Sequence, residues 1–112
     1  MILDTSVVIE KVKKEEEISE DITSITLIEY PPIKDYKKFR GKIYFVNEED
    51  QIQAVLLQAK LREIGSPMSV GDLLIAAVCI NRNKSLLTKD KDFLTIQKAE
   101  PRLKVILDHS NY

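Results

Sequence analysis

The sequence is poor in the residues on which several kinds of site and scaffold depend. It has one cysteine, Cys79, so no internal disulfide can form, and with one histidine, His109, it offers almost no ligands for zinc. It has three glycines, and neither a glycine-rich phosphate-binding motif nor the G-x-S-x-G motif of hydrolases occurs. A disulfide scaffold, a zinc enzyme and a P-loop nucleotidase are therefore disfavoured.

Long apolar runs and an excess of one charge are also absent. The longest apolar run, 73–80, is far shorter than the roughly 20 residues of a membrane span, and no signal peptide is recognisable. The 17 basic and 18 acidic residues leave a net charge of −1, so binding to a polyanion would depend on a local patch. We expect one cytoplasmic domain, residues 1–112.

Apolar and β-branched segments alternate with helical patterns along the chain. Strands are predicted at residues 1–3, 21–26, 42–46, 85–88 and 105–107, and helices at 7–17, 32–39, 48–64 and 73–80. Asn47 is the expected N-cap of the third helix, whose broad buried face is predicted to comprise Ile52, Val55, Leu56, Leu57, Ala59, Leu61 and Ile64. This alternation predicts an α/β fold: a three-layer α/β/α sandwich around a central parallel sheet of about five strands.

Acidic residues follow the apolar strands or begin a buried helix. Asp4 ends the first strand, Asp72 lies at the start of the most apolar helix, and Asp90 follows the fourth strand. Singly, Asp72 could support a helix cap and Asp90 could be a turn residue. If the strands that end at Leu3 and Leu87 are neighbours, however, Asp4 and Asp90 meet at the edge of the sheet where ligands bind.

A group of carboxylates in one crevice predicts a divalent cation. Like charges raise each other's pKa, and a hard cation with oxygen ligands, Mg²⁺ or Mn²⁺, offsets the repulsion. Other acid-based sites fit poorly. A haloacid dehalogenase-type phosphatase needs a second Asp where Ser6 stands, and a receiver domain needs an Asp where Asn47 stands. The single histidine, near the C-terminus, is expected to be a surface residue.

Taken in order, these motifs resemble a PIN domain and, more narrowly, the VapC-type toxin ribonucleases. The motifs are Asp4-Thr5-Ser6, Glu29, Gly71-Asp72-Leu73-Leu74-Ile75-Ala76-Ala77 and Thr88-Lys89-Asp90-Lys91-Asp92-Phe93. The resemblance spans the chain. It departs from the family after Glu29, where Tyr30-Pro31-Pro32 interrupts a helix that usually continues.

The resemblance implies a role for each matched residue. Asp4, Asp72 and Asp90 would be the metal ligands, Glu29 and Asp92 further catalytic acids, and Ser6 and Thr88 supporting residues that orient carboxylates or metal-bound water. It also implies Mg²⁺ or Mn²⁺ as cofactor, RNA as substrate, an antitoxin protein as partner and a homodimer. From charge alone, Lys89 and Arg82 are candidates for steering the RNA backbone.

The sequence thus predicts a metal-dependent endoribonuclease, the toxin of a type II toxin–antitoxin pair. Two alternatives stay open at this point. One is a non-catalytic interaction domain whose acidic crevice binds a basic segment of a partner. The other is a nuclease of ribosomal or transfer RNA maturation, which differs in substrate only.

Overall fold

Short parallel strands alternate with helices in the computed structural model, which describes residues 1–109. The strands are β1 Ile2–Leu3, β2 Ile22–Thr23, β3 Ile43–Tyr44, β4 Ser85–Thr88 and β5 Lys104–Leu107. The helices are α1 Thr5–Lys13, α2 Ser24–Glu29, α3 Glu48–Glu63, α4 Val70–Asn81 and α5 Asp92–Ala99, with a 3-10 helix at Pro31–Asp35. None of these helices has the length and apolar character needed to cross a membrane.

The strands form a parallel sheet in two parts. β1, β4 and β5 pair in the order β1-β4-β5, and β2 pairs with β3. Two backbone hydrogen bonds connect the parts: Leu3 N–H donates to the Asp21 carbonyl (2.9 Å), and Asp21 N–H donates to the Met1 carbonyl (3.0 Å). The predicted α/β class with a parallel sheet is confirmed, but the hydrogen-bonded sheet is smaller than five continuous strands.

Helices cover both faces of the sheet, because successive strand residues point to opposite sides. Ile2 packs with residues of α3, α4 and α5 in one apolar cluster, whereas Leu3 packs with Val7 and Val8 of α1 in the other. Both strand residues are fully buried. The three-layer arrangement therefore follows from the alternation of side chains along β1.

Helix α3 begins as predicted but buries fewer of its apolar residues than expected. Asn47 caps it: the Asn47 side chain accepts from the Asp50 N–H, and the Asp50 side chain accepts from the Asn47 N–H. Leu57 and Leu61 are fully buried. The prediction was wrong for Ile52, Val55, Leu56, Ala59 and Ile64, which are exposed. The helix is apolar on two sides, and the core covers one of them.

Three other elements differ from the sequence prediction. The second strand ends at Thr23, and residues 24–29 form α2, where Thr26 is buried against α1. The predicted helix at 32–39 is a single 3-10 segment, Pro31–Asp35. Helix α5 was not predicted. In each case the long-range packing of a short segment outweighs its local pattern.

Candidate metal centre

Asp4 lies where β1 ends and α1 begins, and it is 7% exposed. Its Oδ1 accepts the Thr5 N–H (2.9 Å), and its Oδ2 accepts the hydroxyls of Thr88 (2.8 Å) and Ser6 (3.3 Å). Burial raises the pKa of Asp4, the three hydrogen bonds lower it, the charge of Asp90 raises it, and the net shift is upward. Asp4 is therefore held in place by neutral donors and has no cationic partner in the described chain.

The hydroxyl of Thr88 connects Asp4 to Asp90. Leu3 pairs with Leu87 in the β1–β4 ladder, so the residues that follow both strands emerge at the same edge. Thr88 donates to Asp4, and its hydroxyl oxygen accepts the backbone N–H of Asp90 (3.0 Å). The predicted meeting of Asp4 and Asp90 at the edge of the sheet is confirmed by this bridge.

Asp72 reaches the same edge from the first turn of α4. Ser69 caps that helix by accepting the Asp72 N–H (3.3 Å). The pKa of Asp72 is raised to about 6, first by burial and then by the charge of Asp4, with smaller contributions from Asp90 and Asp92; a hydrogen bond with Ser69 opposes the shift. Asp72 therefore lies in the capped first turn of α4 and, at the same time, close to the charges of Asp4 and Asp90.

Three carboxylates converge at one point. One oxygen from each of Asp72, Asp90 and Asp92 lies within 4.8 Å of the other two. Asp90 Oδ1 also accepts the Asp92 N–H (2.8 Å), which fixes the turn that leads into α5. Oxygen atoms bound to one small divalent ion are about 4 Å apart or less when each bond is near 2.1 Å. The all-oxygen donor set fits Mg²⁺ or Mn²⁺, and the 4.8 Å limit on the carboxylate spacing is slightly wider than one such ion spans.

Glu29 lies between Thr5 and Gly71, the sequence neighbours of Asp4 and Asp72, despite the prolines that follow it. It is the last residue of α2, and its Oε1 accepts the Thr5 hydroxyl (2.6 Å). The residue before Asp72 is Gly71, and a Cβ at Gly71 would lie 3.2 Å from Glu29 Oε2. Sequence reasoning singled out neither Thr5 nor Gly71. Their adjacency to Asp4 and Asp72 was the available signal.

The two candidate steering residues are engaged elsewhere. Arg82 follows the C-terminal end of α4, a helix length away from Asp72, where it donates to the buried Asp50 (2.7 Å). Lys89 forms an ion pair with Glu10 (2.8 Å) and is 3.8 Å from Asp108. The proposal that either side chain steers RNA stays a prediction. His109 is exposed, as expected.

Asp50 is an acidic residue whose role the sequence did not reveal. It is fully buried and accepts hydrogen bonds from Arg82, Asn81 and the Asn47 N–H. Burial acts to raise the pKa of Asp50, but these donors outweigh it and the net shift is downward. Asp50 therefore joins the start of α3 to the end of α4 and belongs to the structure of the protein.

Solved structures of VapBC proteins resemble this one over nearly the whole chain. No protein-family model and no curated protein matches the sequence. A chain of VapBC2 from Rickettsia felis, solved bound to a promoter DNA fragment, is 23% identical with a TM-score of 0.74, and the match covers 95% of this chain and 96% of that one. DNA-bound VapBC from Salmonella typhimurium gives 20% identity, a TM-score of 0.77 and the same coverage.

A third match leads to the same conclusion. A chain of VapBC-5 from Mycobacterium tuberculosis is 21% identical with a TM-score of 0.73, over 96% of this chain and 97% of that one. At such identities the likeness is one of fold. The protein thus has the PIN-like α/β fold of the VapBC toxin–antitoxin structures, as the sequence motifs predict.

Proposed function

We propose that the protein is a Mg²⁺- or Mn²⁺-dependent endoribonuclease that serves as the toxin of a type II toxin–antitoxin pair in the cytoplasm. The observation that carries the proposal is the convergence of Asp72, Asp90 and Asp92 beside the buried Asp4. A protein that gathers unpaired carboxylates in this way needs a hard cation to offset their repulsion. The VapBC-like fold supports the toxin assignment and an antitoxin partner.

Each acid has a distinct task in this proposal. Asp72, Asp90 and Asp92 would hold the cation through carboxylate oxygens. Asp4 Oδ1 accepts one hydrogen bond, so it keeps a lone pair for the same purpose, while Thr88 and Ser6 fix the other oxygen. Glu29 is the further acid. A bound cation would polarise the scissile phosphate and lower the pKa of a coordinated water.

The test is cleavage of RNA with and without the cation. We expect the purified protein to cut single-stranded RNA with Mn²⁺ or Mg²⁺ and to stop when a chelator is added. Asp90→Asn should lower the rate by on the order of 100-fold or more, because metal-ion catalysis supplies several kcal/mol. Asp35→Asn is the matched control, since Asp35 is an exposed acid in the 3-10 helix that pairs with Lys34.

The same assay separates the alternatives. A wild-type protein that cuts no RNA with either cation, yet binds a basic peptide through the crevice, would support the non-catalytic interaction domain. Cleavage confined to precursors of ribosomal or transfer RNA would favour the maturation nuclease. Growth arrest on expression, relieved by the product of a neighbouring reading frame, would favour the toxin.

We propose the exposed apolar side of α3 as the interface of the predicted homodimer. Ile52 is 54% exposed, Val55 68% and Leu56 53%, and together they form an apolar patch on the side of the helix away from the core. A groove of about 330 Å³ adjoins this patch, between α3 and α4, and Val55 and Val70 line it. Val70 is 71% exposed. An apolar surface of this kind commonly marks a protein interface.

The charges on α3 favour a second copy of the chain as the partner. Glu48, Ile52, Val55, Ala59 and Arg62 lie on one stripe, at helical spacings of three and four residues. The acid begins the stripe and the base ends it, each seven residues from Val55. A two-fold axis through Val55 would set Glu48 of one copy opposite Arg62 of the other, with apolar residues between them.

The oligomeric state tests this surface. We expect a dimer by light scattering, a monomer for Val55→Glu, and no change for Ile28→Glu, which alters an exposed isoleucine on α2. Glu48→Arg and Arg62→Glu should each weaken the dimer, and the double variant should restore it. A wild-type monomer, or a double variant no better than the single ones, would contradict the two-fold arrangement.

A further inference from the structure

The end of α2 leaves Glu29 without the usual support of a continuing helix. Helix α2 has six residues, and Pro31 follows Glu29 after one residue. The side chain of Glu29 is exposed, so no surrounding core restricts its rotamers. A glutamate at such a place ordinarily samples several conformations, at an entropic cost when it binds. Its position beside Thr5 and Gly71 therefore needs a separate cause.

Counting protons assigns a direction to the hydrogen bonds of Thr5. The Thr5 hydroxyl lies 2.6 Å from Glu29 Oε1 and 2.9 Å from the Thr26 hydroxyl. An ionised carboxylate only accepts, so the single proton of Thr5 goes to Glu29. Thr26 must then donate to Thr5. Since Thr26 is fully buried one helical turn before Glu29, the chain Thr26–Thr5–Glu29 anchors the carboxylate to the interior.

Gly71 supplies the space that this position requires. A Cβ at residue 71 would lie 3.2 Å from Glu29 Oε2 and 3.7 Å from the Ile25 side chain. The first distance is shorter than an ordinary van der Waals contact. Gly71 does not have a positive φ, so its backbone conformation does not demand glycine. A Cβ at position 71 would therefore require Glu29 Oε2 to move by a few tenths of an ångström.

We propose that Thr5 and Gly71 are positioning residues that together orient Glu29, the further acid of the proposed metal centre. This inference rests on the proposed metal-dependent function. Thr5 adjoins Asp4, and Gly71 adjoins Asp72, so the two turns that deliver the principal acids also hold the glutamate. The hydroxyl of Thr5 replaces the support that a helix continuing past Glu29 would provide.

The test measures Mn²⁺ affinity directly, by titration calorimetry or by the electron paramagnetic resonance signal of free Mn²⁺. Thr5→Val keeps the shape of the side chain and removes the hydroxyl. We expect it to weaken Mn²⁺ binding about tenfold, the size of effect seen when groups that orient metal ligands are removed. Thr5→Ser should restore binding to within about twofold. Gly71→Ala should weaken it in the same direction.

A second background shows whether the effect passes through Glu29. In Glu29→Gln protein, Thr5→Val and Gly71→Ala should cause no further loss, because the charged oxygen that they position is absent. Thr95→Val is the control for removing a threonine hydroxyl, on α5 away from Glu29. Melting curves of each variant identify any that fails to fold, and Thr5→Ser and Gly71→Ala then carry the test.

The outcomes distinguish this inference from the proposed function. Thr5→Val protein that binds Mn²⁺ as tightly as wild type would overturn the positioning role and leave the metal centre standing. An equal loss from Thr5→Val in the Glu29→Gln background would also overturn it. Wild-type protein that binds neither Mn²⁺ nor Mg²⁺ would overturn the metal centre itself.

Discussion

The carboxylate of Asp50 and those of the acidic centre lie in two regions of the molecule that treat negative charge in opposite ways. Asp50 is fully buried, but Arg82, Asn81 and the Asn47 N–H all donate to it, and its pKa is lowered. At the acidic centre, formed by Asp4, Asp72, Asp90 and Asp92, the Asp72 carboxylate lies near the other three, and its pKa is raised to about 6.

Among residues 1–109, no lysine or arginine forms an ion pair with Asp4, Asp72, Asp90 or Asp92. The difference teaches that burial alone does not mark a functional acid. The side chains around Asp50 compensate its negative charge. Those around Asp72 add further negative charge, which a bound cation would compensate.

The largest expected effect on stability comes from breaking the compensated region. Asp50→Asn removes the ion pair with Arg82 and places an amide N–H₂ group against existing donors. We expect the free energy of unfolding to fall by about 3 kcal/mol, as when one partner of a buried pair is lost. Urea denaturation measures it, with Asp35→Asn as the exposed control. A loss below about 1 kcal/mol would mean that the two regions differ less than the contacts suggest.

A divalent cation should stabilise the other region by a similar amount. At a concentration 100 times its Kd, a ligand that binds only the folded state contributes about 2.7 kcal/mol. Mn²⁺ should therefore raise the melting temperature of the wild-type protein, and equally that of Asp50→Asn from its lower baseline. Asp90→Asn should lose most of the rise. An undiminished rise in Asp90→Asn would place the cation elsewhere on the protein.

The smallest effect is a pH dependence that belongs to Asp72. Its folded pKa is raised from 3.8 to about 6, so the metal-free folded state binds this proton more tightly than the unfolded state does. Asp72 therefore destabilises the folded state least below about pH 4, and this destabilisation increases as the pH rises through about 6.

The neutral variant removes that cost. With chelator present, Asp72→Asn should melt higher than wild type at pH 7, by a few degrees for about 1 kcal/mol, and the two should converge near pH 4. Thermal scans across this range measure the difference. If the difference does not depend on pH, the raised pKa is not its source.

The acidic centre was predictable because its signals are local and its geometry follows a general rule. Asp4 and Asp90 each follow an apolar strand, and parallel neighbours bring such residues to one edge of the sheet. The capped start of α3 was predictable for the same reason, since Asn47 is a good N-cap residue directly before the helix. Short-range chemistry determines both features.

Features that depend on distant parts of the chain were not predictable. The pattern of α3 is apolar on two sides, and only the packing of α4 shows that Leu57 is buried while Val55 is exposed. The support of Glu29 depends on Gly71, more than forty residues away, and on a hydroxyl that the sequence places beside Asp4 without a partner. The network at Asp50 likewise requires the far end of α4.

The pairing of β1 with β4 has a consequence for the order in which the protein is made. The hydrogen bond from Thr88 to Asp4 joins residues 84 positions apart, and Asp92 follows still later. Residues 4–92 must therefore leave the ribosome before the acidic centre can assemble, and a product truncated ahead of β4 carries Asp4 and Glu29 without Asp90 and Asp92. For a protein proposed to destroy RNA, the nascent chain lacks two of the proposed metal ligands until translation has passed Asp92.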